Sequence, residues 1–407
     1  MDVNEGDAGG PTDADGSVAG HGLPLGALPD AAIPDLAPHG VAPTLEVVAA
    51  RAGVSRATVS RVVNGSTKVT PEVVKAVNDA IAALDYVPNR AARSLASRRT
   101  QSIALVVPES TSRVFADPFF AAVTQGVALE LAATDYTLNL LMASEASPEK
   151  TRRYLLGGNV DGALVVSHHR GDHSYTQLGQ HLPIVFAGRP IGRDVESIYV
   201  DVDNVAGGRM ATAHLLDSGR SRIATIAGRQ DMPAGIDRLL GWRQAMEAAG
   251  LGGSDGGTRD PRASTVDGSG DLRANRGPGG GPDGSDDPLD QLVEYGDFSP
   301  FEGAAAMRRL LDRGVPIDGV FAANDQMAAG AISVLREAGL RVPEDVGVIG
   351  FDDDSFGATA SPPLTTIDQS PVELGATMAA LLVRLIAGET VPRITILPTR
   401  LVPRASV

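Results

Sequence analysis

Between Thr44 and Gly65 the sequence reads TLEVVAARAGVSRATVSRVVNG. Wound as a helix, its second half puts Arg56, Ala57, Ser60 and Arg61 on one side and Val59 and Val62 on the other. Guanidinium and hydroxyl donors beside a small side chain suit hydrogen bonding to base edges in the DNA major groove. A second polar set lies much later. Asn324 and Asp325 end the apolar run Val320 to Ala323, Asp352 and Asp353 end Val346 to Phe351, and Arg238 sits in the segment after Ile223 to Ala227. Groups at the ends of parallel strands converge on a cleft, where they can hydrogen-bond a polyhydroxylated ligand while Phe119, Phe120 and Phe298 stack on its apolar faces. Phe119 and Phe120 could equally be core, and Asp325 could be a helix cap.

Other chemistries find less support. The triple carboxylate Asp352, Asp353, Asp354 lacks a matching His or Glu motif for metal or acid–base work, and His168, His169 and His173 fall in a polar loop. Neither a nucleophile elbow nor a Walker loop is present, so no catalysis, cofactor or metal is expected.

The elements that must position these residues are legible. Two short helices joined at Gly53 would pack through Val48, Ala49, Val59 and Val62, with Ala49 allowing a close crossing, Ser55 capping the second helix, and a third helix from Thr70 to Leu84 behind them. From Ser102 onward apolar strands alternate with amphipathic helices: Ile103 to Val107, Phe119 to Ala132, Leu138 to Ala143, Pro148 to Leu156, Ala163 to Val166, Ile184 to Ala187, Val205 to Leu216, Ile223 to Ala227 and Ile236 to Ala249. Leu292 to Tyr295, Gly303 to Leu311, Val320 to Ala323, Met327 to Glu337 and Val346 to Gly350 continue the pattern. This is the signature of doubly wound parallel sheets, with enough units for two. Ser299-Pro300-Phe301-Glu302 and Ser370-Pro371-Val372-Glu373 mark helix starts with Ser at the cap, Pro in the first turn and Glu in the capping-box position.

Residues 1–40 and about 252–288 are rich in Gly, Asp and Pro without helical or strand period; they are expected to be a disordered tail and a disordered insertion. The expected plan is then a helix-turn-helix domain at 43–87, a hinge or linker at 88–99 and a two-lobed ligand-binding domain at 101–407. Its first lobe would span about 101–201 plus 370–392.

The formal charge of -15 would argue against a nucleic-acid partner if it were evenly spread. It is not: between Thr44 and Arg99 stand Arg51, Arg56, Arg61, Lys68, Lys75, Arg90, Arg93, Arg98 and Arg99 against Glu46, Glu72, Asp79 and Asp85. With no cysteine, no long apolar run and no export signal in view, the chain is expected in the cytoplasm, at the nucleoid.

The pattern Thr44, Ala52-Gly53-Val54-Ser55, Thr58-Val59-Ser60-Arg61-Val62, Asn64 and Tyr86-Val87-Pro88-Asn89 resembles the head of the lactose-repressor (LacI/GalR) family. The resemblance runs from Thr44 to the C-terminus, interrupted by the insertion. It implies an all-α helix-turn-helix head on an α/β body resembling periplasmic sugar-binding proteins, two Rossmann-like lobes with a cleft between them. It implies a repressor acting as a homodimer, with a tetramer open, on a palindromic double-stranded operator, controlled by a small molecule such as a sugar or oligosaccharide. Arg56, Ala57 and Arg61 would read bases, with Thr44, Ser55, Thr58, Ser60 and Asn64 on phosphates or in support. The segment Asn89-Arg90-Ala91-Ala92-Arg93-Ser94-Leu95-Ala96, otherwise a charged linker, would be a hinge helix wedging Leu95 into the minor groove. Effector contacts would fall on Phe119, Phe120, Arg238, Phe298, Asn324, Asp352 and Gln369. Where several sugar-responsive relatives carry Asp after the strand at Ile184, this chain has Gly188-Arg189, so Arg189 joins that set as a group for a hydroxyl, carboxylate or phosphate.

Overall fold

The computed structural model describes residues 43–63, 65–66, 68–87, 99–142, 148–170, 175, 178–191, 196–252 and 287–407. The chain divides into two compact units, Met1–Pro88 and Asn89–Val407.

In the first unit, α1 (Leu45–Ala52), α2 (Arg56–Val63) and α3 (Pro71–Leu84) enclose a small core of Val48, Ala49, Val59, Val77, Ala80 and Tyr86. Gly53 ends α1 in the left-handed region at φ 67°, which a residue with a Cβ adopts only at a cost, so the chain reverses there within a few residues.

The second unit contains two parallel sheets. The first has the order β11-β5-β4-β3-β1-β2, from β1 (Ser102–Val107), β2 (Thr137–Met142), β3 (Gly162–Val165), β4 (Ile184–Ala187), β5 (Ile198–Val202) and β11 (Ile394–Leu397). All six residues of β1 are buried, as expected for a central parallel strand covered on both faces. Around this sheet pack α4 (Thr111–Ala116), α5 (Pro118–Leu131), α6 (Pro148–Leu156) and α12 (Pro371–Ile386). The second sheet, β7-β6-β8-β9, comprises β6 (Ile223–Ala227), β7 (Val293–Tyr295), β8 (Gly319–Ala322) and β9 (Gly347–Ile349). Its helices are α7 (Asn204–Asp217), α8 (Pro233–Ala248), α9 (Pro300–Asp312), α10 (Asp325–Glu337) and the short α11 (Ser355–Thr359). Beside β9 lies an antiparallel pair, β10 (Thr366–Asp368) and β12 (Arg400–Val402).

The chain passes between lobes at 202–204, 368–371 and 397–400. The first lobe also takes in β11, with Ile394 opposite Tyr199, beyond the limit of 392 expected from sequence. A strand of four residues in which only Leu397 is buried gives no clear period to read.

Candidate DNA-reading surface and effector cleft

On α2, Arg56, Ala57 and Arg61 are exposed and Val59 is fully buried, so one side anchors the helix and the opposite side is open. The Ser55 hydroxyl accepts from the Thr58 amide (3.1 Å) and pairs with the Thr58 hydroxyl (2.9 Å), capping the helix start. The Arg56 guanidinium rests 3.1 Å from the Glu46 carboxylate on α1, an exposed pair that is readily exchanged for another acceptor. Glu46 is held below its ordinary pKa first by its own backbone N–H and then by the Thr44 hydroxyl, with Arg56 contributing least. Ser60 is half-buried. Asn64, Asn89, Arg90 and Leu95, like the tail at 1–40 and most of 252–288, lie outside the described residues.

In the body, polar groups gather where the strands of both sheets end. Among them is Arg238 on α8, 4% exposed. Its Nε donates to Asn204 Oδ1 (2.9 Å), its Nη1 to the Ala323 carbonyl (2.7 Å) and Asp352 Oδ1 (3.3 Å), and its Nη2 to Gln369 Oε1 (3.3 Å). The guanidinium stacks 3.6 Å from the centroid of Phe351. Gln369 returns a hydrogen bond to Asp352, whose backbone sits at φ 114°, a conformation that costs energy in a non-glycine residue and is tolerated where the surroundings fix it. Burial raises the Asp352 carboxyl well above its ordinary range, against the pull of Arg238. Arg238 is placed by a close helix crossing: a Cβ on Gly208 of α7 would lie 2.4 Å from the Arg238 carbonyl oxygen, and one on Gly241 would lie 2.2 Å from that of Val205.

Asn324 caps α10, accepting from the Met327 amide (2.9 Å) while its amide donates to the Phe298 carbonyl (3.0 Å). The cap is therefore Asn324, and Asp325 has another task. Its carboxyl accepts from the Thr366 hydroxyl (2.6 Å) and the Asp354 amide (2.9 Å), tying β10 and the turn after β9 to α10. Burial, helped by Asp354 and Asp353, lifts Asp325 to about 8 despite these hydrogen bonds.

Farther along the edge of the first sheet, in the strand order β4, β3, β1, come Arg189, His168 with His169, and Glu109. Arg189 pairs across the lobes with Asp237 on α8 (3.1 Å), and its amide donates to Asp201 (2.9 Å). His169 lies between Glu109 (3.0 Å) and Asp231 of the second lobe (3.1 Å). Arg113 stands over the Phe298 ring at 5.6 Å. Glu109, Arg113, Asp117, Arg229, Phe298 and Gln326 line an open cleft of ≈ 520 Å³ with walls from both lobes. A hollow of ≈ 530 Å³ beside Arg189, Tyr199 and Ile394 draws its walls from the first lobe only, so lobe closure cannot grip a ligand there.

The structure thus brings Arg238, Asp352 and Gln369 into one cluster, seats Asn324 beside Phe298, and sets Phe298 on the cleft wall. Phe120 is 4% exposed and packs in the first lobe's core with Val123 and Val127, the core alternative that the sequence leaves open for it. Phe119 is half-buried against the same core, edge-on to Phe120 at 5.6 Å. Sequence reasoning missed Asn204, Asp237, Glu109, Arg113 and Asp231, and it gave His169 no role. Their common signal is a polar residue directly after a strand, or early in the following helix, on the edge that faces the other lobe.

Residues 44–89 match the family model of bacterial regulatory proteins of the lacI family. Residues 100–267 match that of periplasmic binding proteins and the sugar binding domain of the LacI family, and 212–407 a periplasmic binding protein-like domain. The chain is 44% identical over 367 residues to the HTH-type transcriptional regulator CelR of Thermobifida fusca, covering 89% of this chain and 98% of that protein. It is 32% identical to the ribose operon repressor of Escherichia coli K12, covering 85% and 94%. A solved structure described as a transcriptional regulator CelR-cellobiose complex aligns with a TM-score of 0.65 and 43% identity over 90% of this chain and 100% of that one. The lac repressor dimer bound to operator and the anti-inducer ONPF aligns with a TM-score of 0.71 and 25% identity over 90% and 99%. With an exposed arginine-bearing helix in its head, a two-lobed body and relatives that match nearly from end to end, the chain belongs to the LacI family of bacterial transcriptional regulators.

Proposed function

We propose that this regulator is a repressor that binds a palindromic operator as a homodimer and responds to a neutral glucose disaccharide or short oligosaccharide, with cellobiose as the first candidate. The observation that carries the ligand class is that four arginines between the lobes already have carboxylate partners. Arg238 is paired with Asp352, Arg189 with Asp237, Arg229 with Asp231, and Arg113 lies 3.6 Å from Glu109. A phosphate or carboxylate ligand would have to displace a carboxylate from one of these guanidinium groups. A neutral polyol can exchange hydrogen bonds with them while leaving these ion pairs in place. The Arg189 position, which sequence alone leaves open to an anion, favours a hydroxyl on this ground. The similarity to the CelR-cellobiose complex points the same way.

Arg56, Ala57 and Arg61 are the base-reading residues in this proposal, with Thr44, Ser55, Thr58 and Ser60 in support; dimerisation provides the two-fold symmetry a palindrome requires. No described helix is long and apolar enough to cross a membrane. The test combines two measurements. A palindrome selected from a random duplex library is titrated with protein in the presence and absence of cellobiose, and thermal unfolding is followed against cellobiose, cellotriose, glucose and glucose 6-phosphate. At about 100 times its Kd the effector adds about 2.7 kcal/mol of stability, and it changes operator affinity without being consumed. Stabilisation by the phosphate and by none of the neutral sugars would overturn the ligand class.

A further inference from the structure

We propose that His169 is an interlobe latch: an imidazolium shared between Glu109 of the first lobe and Asp231 of the second, which ties the two lobes together across the cleft. The ring is 8% exposed, with Nε2 3.0 Å from Glu109 Oε1 and Nδ1 3.1 Å from Asp231 Oδ2. Both ring nitrogens face carboxylate oxygens, and only a doubly protonated ring can donate to both; a neutral one would turn a lone pair on one of them. The charges around it keep both carboxylates ionised. Arg113 on α4 lies 3.6 Å from Glu109, and the Ser167 hydroxyl donates to the same carboxylate at 2.7 Å. Arg229 grips Asp231 through Nε (2.9 Å) and Nη2 (2.6 Å), and the Arg170 amide donates to the Asp231 carbonyl (2.9 Å). The neighbouring His168 is turned away to the Arg189 carbonyl (3.2 Å), and burial pushes it down to about 4, so it stays neutral.

Burial lowers His169 as well, but the hydrogen bonds and charges of Asp231 and Glu109 outweigh it and raise it to about 9. When the lobes part, Asp231 leaves with Arg229 and the ring returns to water, toward its ordinary value. Closure therefore gains from the proton: the gain is complete below about 6.5 and is lost as pH rises through about 9. The closing equilibrium should fall by one to two orders of magnitude, roughly, between pH 7 and pH 9.5. This rests on lobe geometry and not on the identity of the effector.

The chain has no cysteine of its own, so spin labels can be placed at Lys150→Cys on α6 and Arg308→Cys on α9, one in each lobe, with excess unlabelled chain to dilute pairs within an assembly. Without effector, the unsubstituted cleft should give one narrow interlobe distance at pH 7 that broadens and lengthens at pH 9.5. His169→Gln should show the broad distribution at both pH values, and so should Asp231→Asn, which removes the negative charge on the other lobe while sparing the histidine. Far-ultraviolet circular dichroism identifies any variant that fails to fold, in which case the other variant decides. A narrow, pH-independent distance in a folded His169→Gln or Asp231→Asn protein overturns the latch.

Discussion

Among single residues, Arg238 has the most to lose. It is buried, ion-paired, stacked on Phe351 and bonded to Asn204, Ala323 and Gln369. Removing one member of a buried pair leaves the other charge without a partner, at a cost of about 3–5 kcal/mol. Arg238→Ala should therefore lower the unfolding stability of the body by about that much and abolish the effector response. The double variant Arg238→Met/Asp352→Leu separates the two losses: stability should return by at least about 2 kcal/mol, since apolar replacements of a buried pair are often neutral, while the response should not return. Denaturant unfolding and operator titration with effector measure both. Effector response in the double variant would remove the pair from the ligand site. Legibility at this scale is uneven. The Arg238, Asp352 and Gln369 cluster is readable from motif context. The bridge from Glu109 through His169 to Asp231 is not, because its members come from three segments that only the order β3, β1 and the meeting of two lobes make neighbours.

At the level of elements, helices announced themselves more clearly than strands. Ser299 does accept from the Glu302 amide at 3.2 Å, and the head helices keep the apolar spacing that encloses Val48, Val59 and Val77. The strand β5, IYVDV, escapes sequence reading because its buried end carries Asp201, and β10 and β12 are three residues each, too short for a period. Helix crossings are also hidden in sequence, since a glycine inside a helix reads as a weak point. At Gly241 the neighbours of an added Cβ are backbone atoms, Val205 O at 2.2 Å and Arg209 N at 2.6 Å, which cannot swing aside. Gly241→Ala gains up to about 1 kcal/mol of helix propensity. Forcing α7 and α8 apart should outweigh this, with a net loss of roughly 1–3 kcal/mol and weaker effector binding, because Arg238 moves with α8. An alanine variant with unchanged or raised melting temperature would show that the crossing yields more easily than its geometry indicates.

For the whole molecule, charge distribution is the quantity that separates its two binding activities. The chain carries -15, yet the segment from Thr44 to Arg99 is basic, and in the head Arg56, Arg61 and Lys68 are exposed. Operator binding should release counterions from DNA, with log affinity falling by about 0.9 per phosphate contact for each tenfold rise in salt. A dimer making roughly six or more such contacts loses about a thousandfold or more between 50 and 200 mM salt. The cleft obeys a different rule. Its arginines are already matched by Asp352, Asp237, Asp231 and Glu109, so a neutral disaccharide neutralises no charge on entering. Its affinity should change by less than about twofold over the same range, since screening acts on net charge pairs formed in binding. Calorimetric titration of cellobiose and anisotropy titration of operator, each at 50 and 200 mM salt, measure the two slopes on one protein. A steep salt dependence for the effector would mean that an ion pair forms with the ligand and that the neutral-sugar assignment is wrong. A flat one for the operator would mean that the arginines of α2 do not meet phosphate or base at all, and that the head engages DNA through another face.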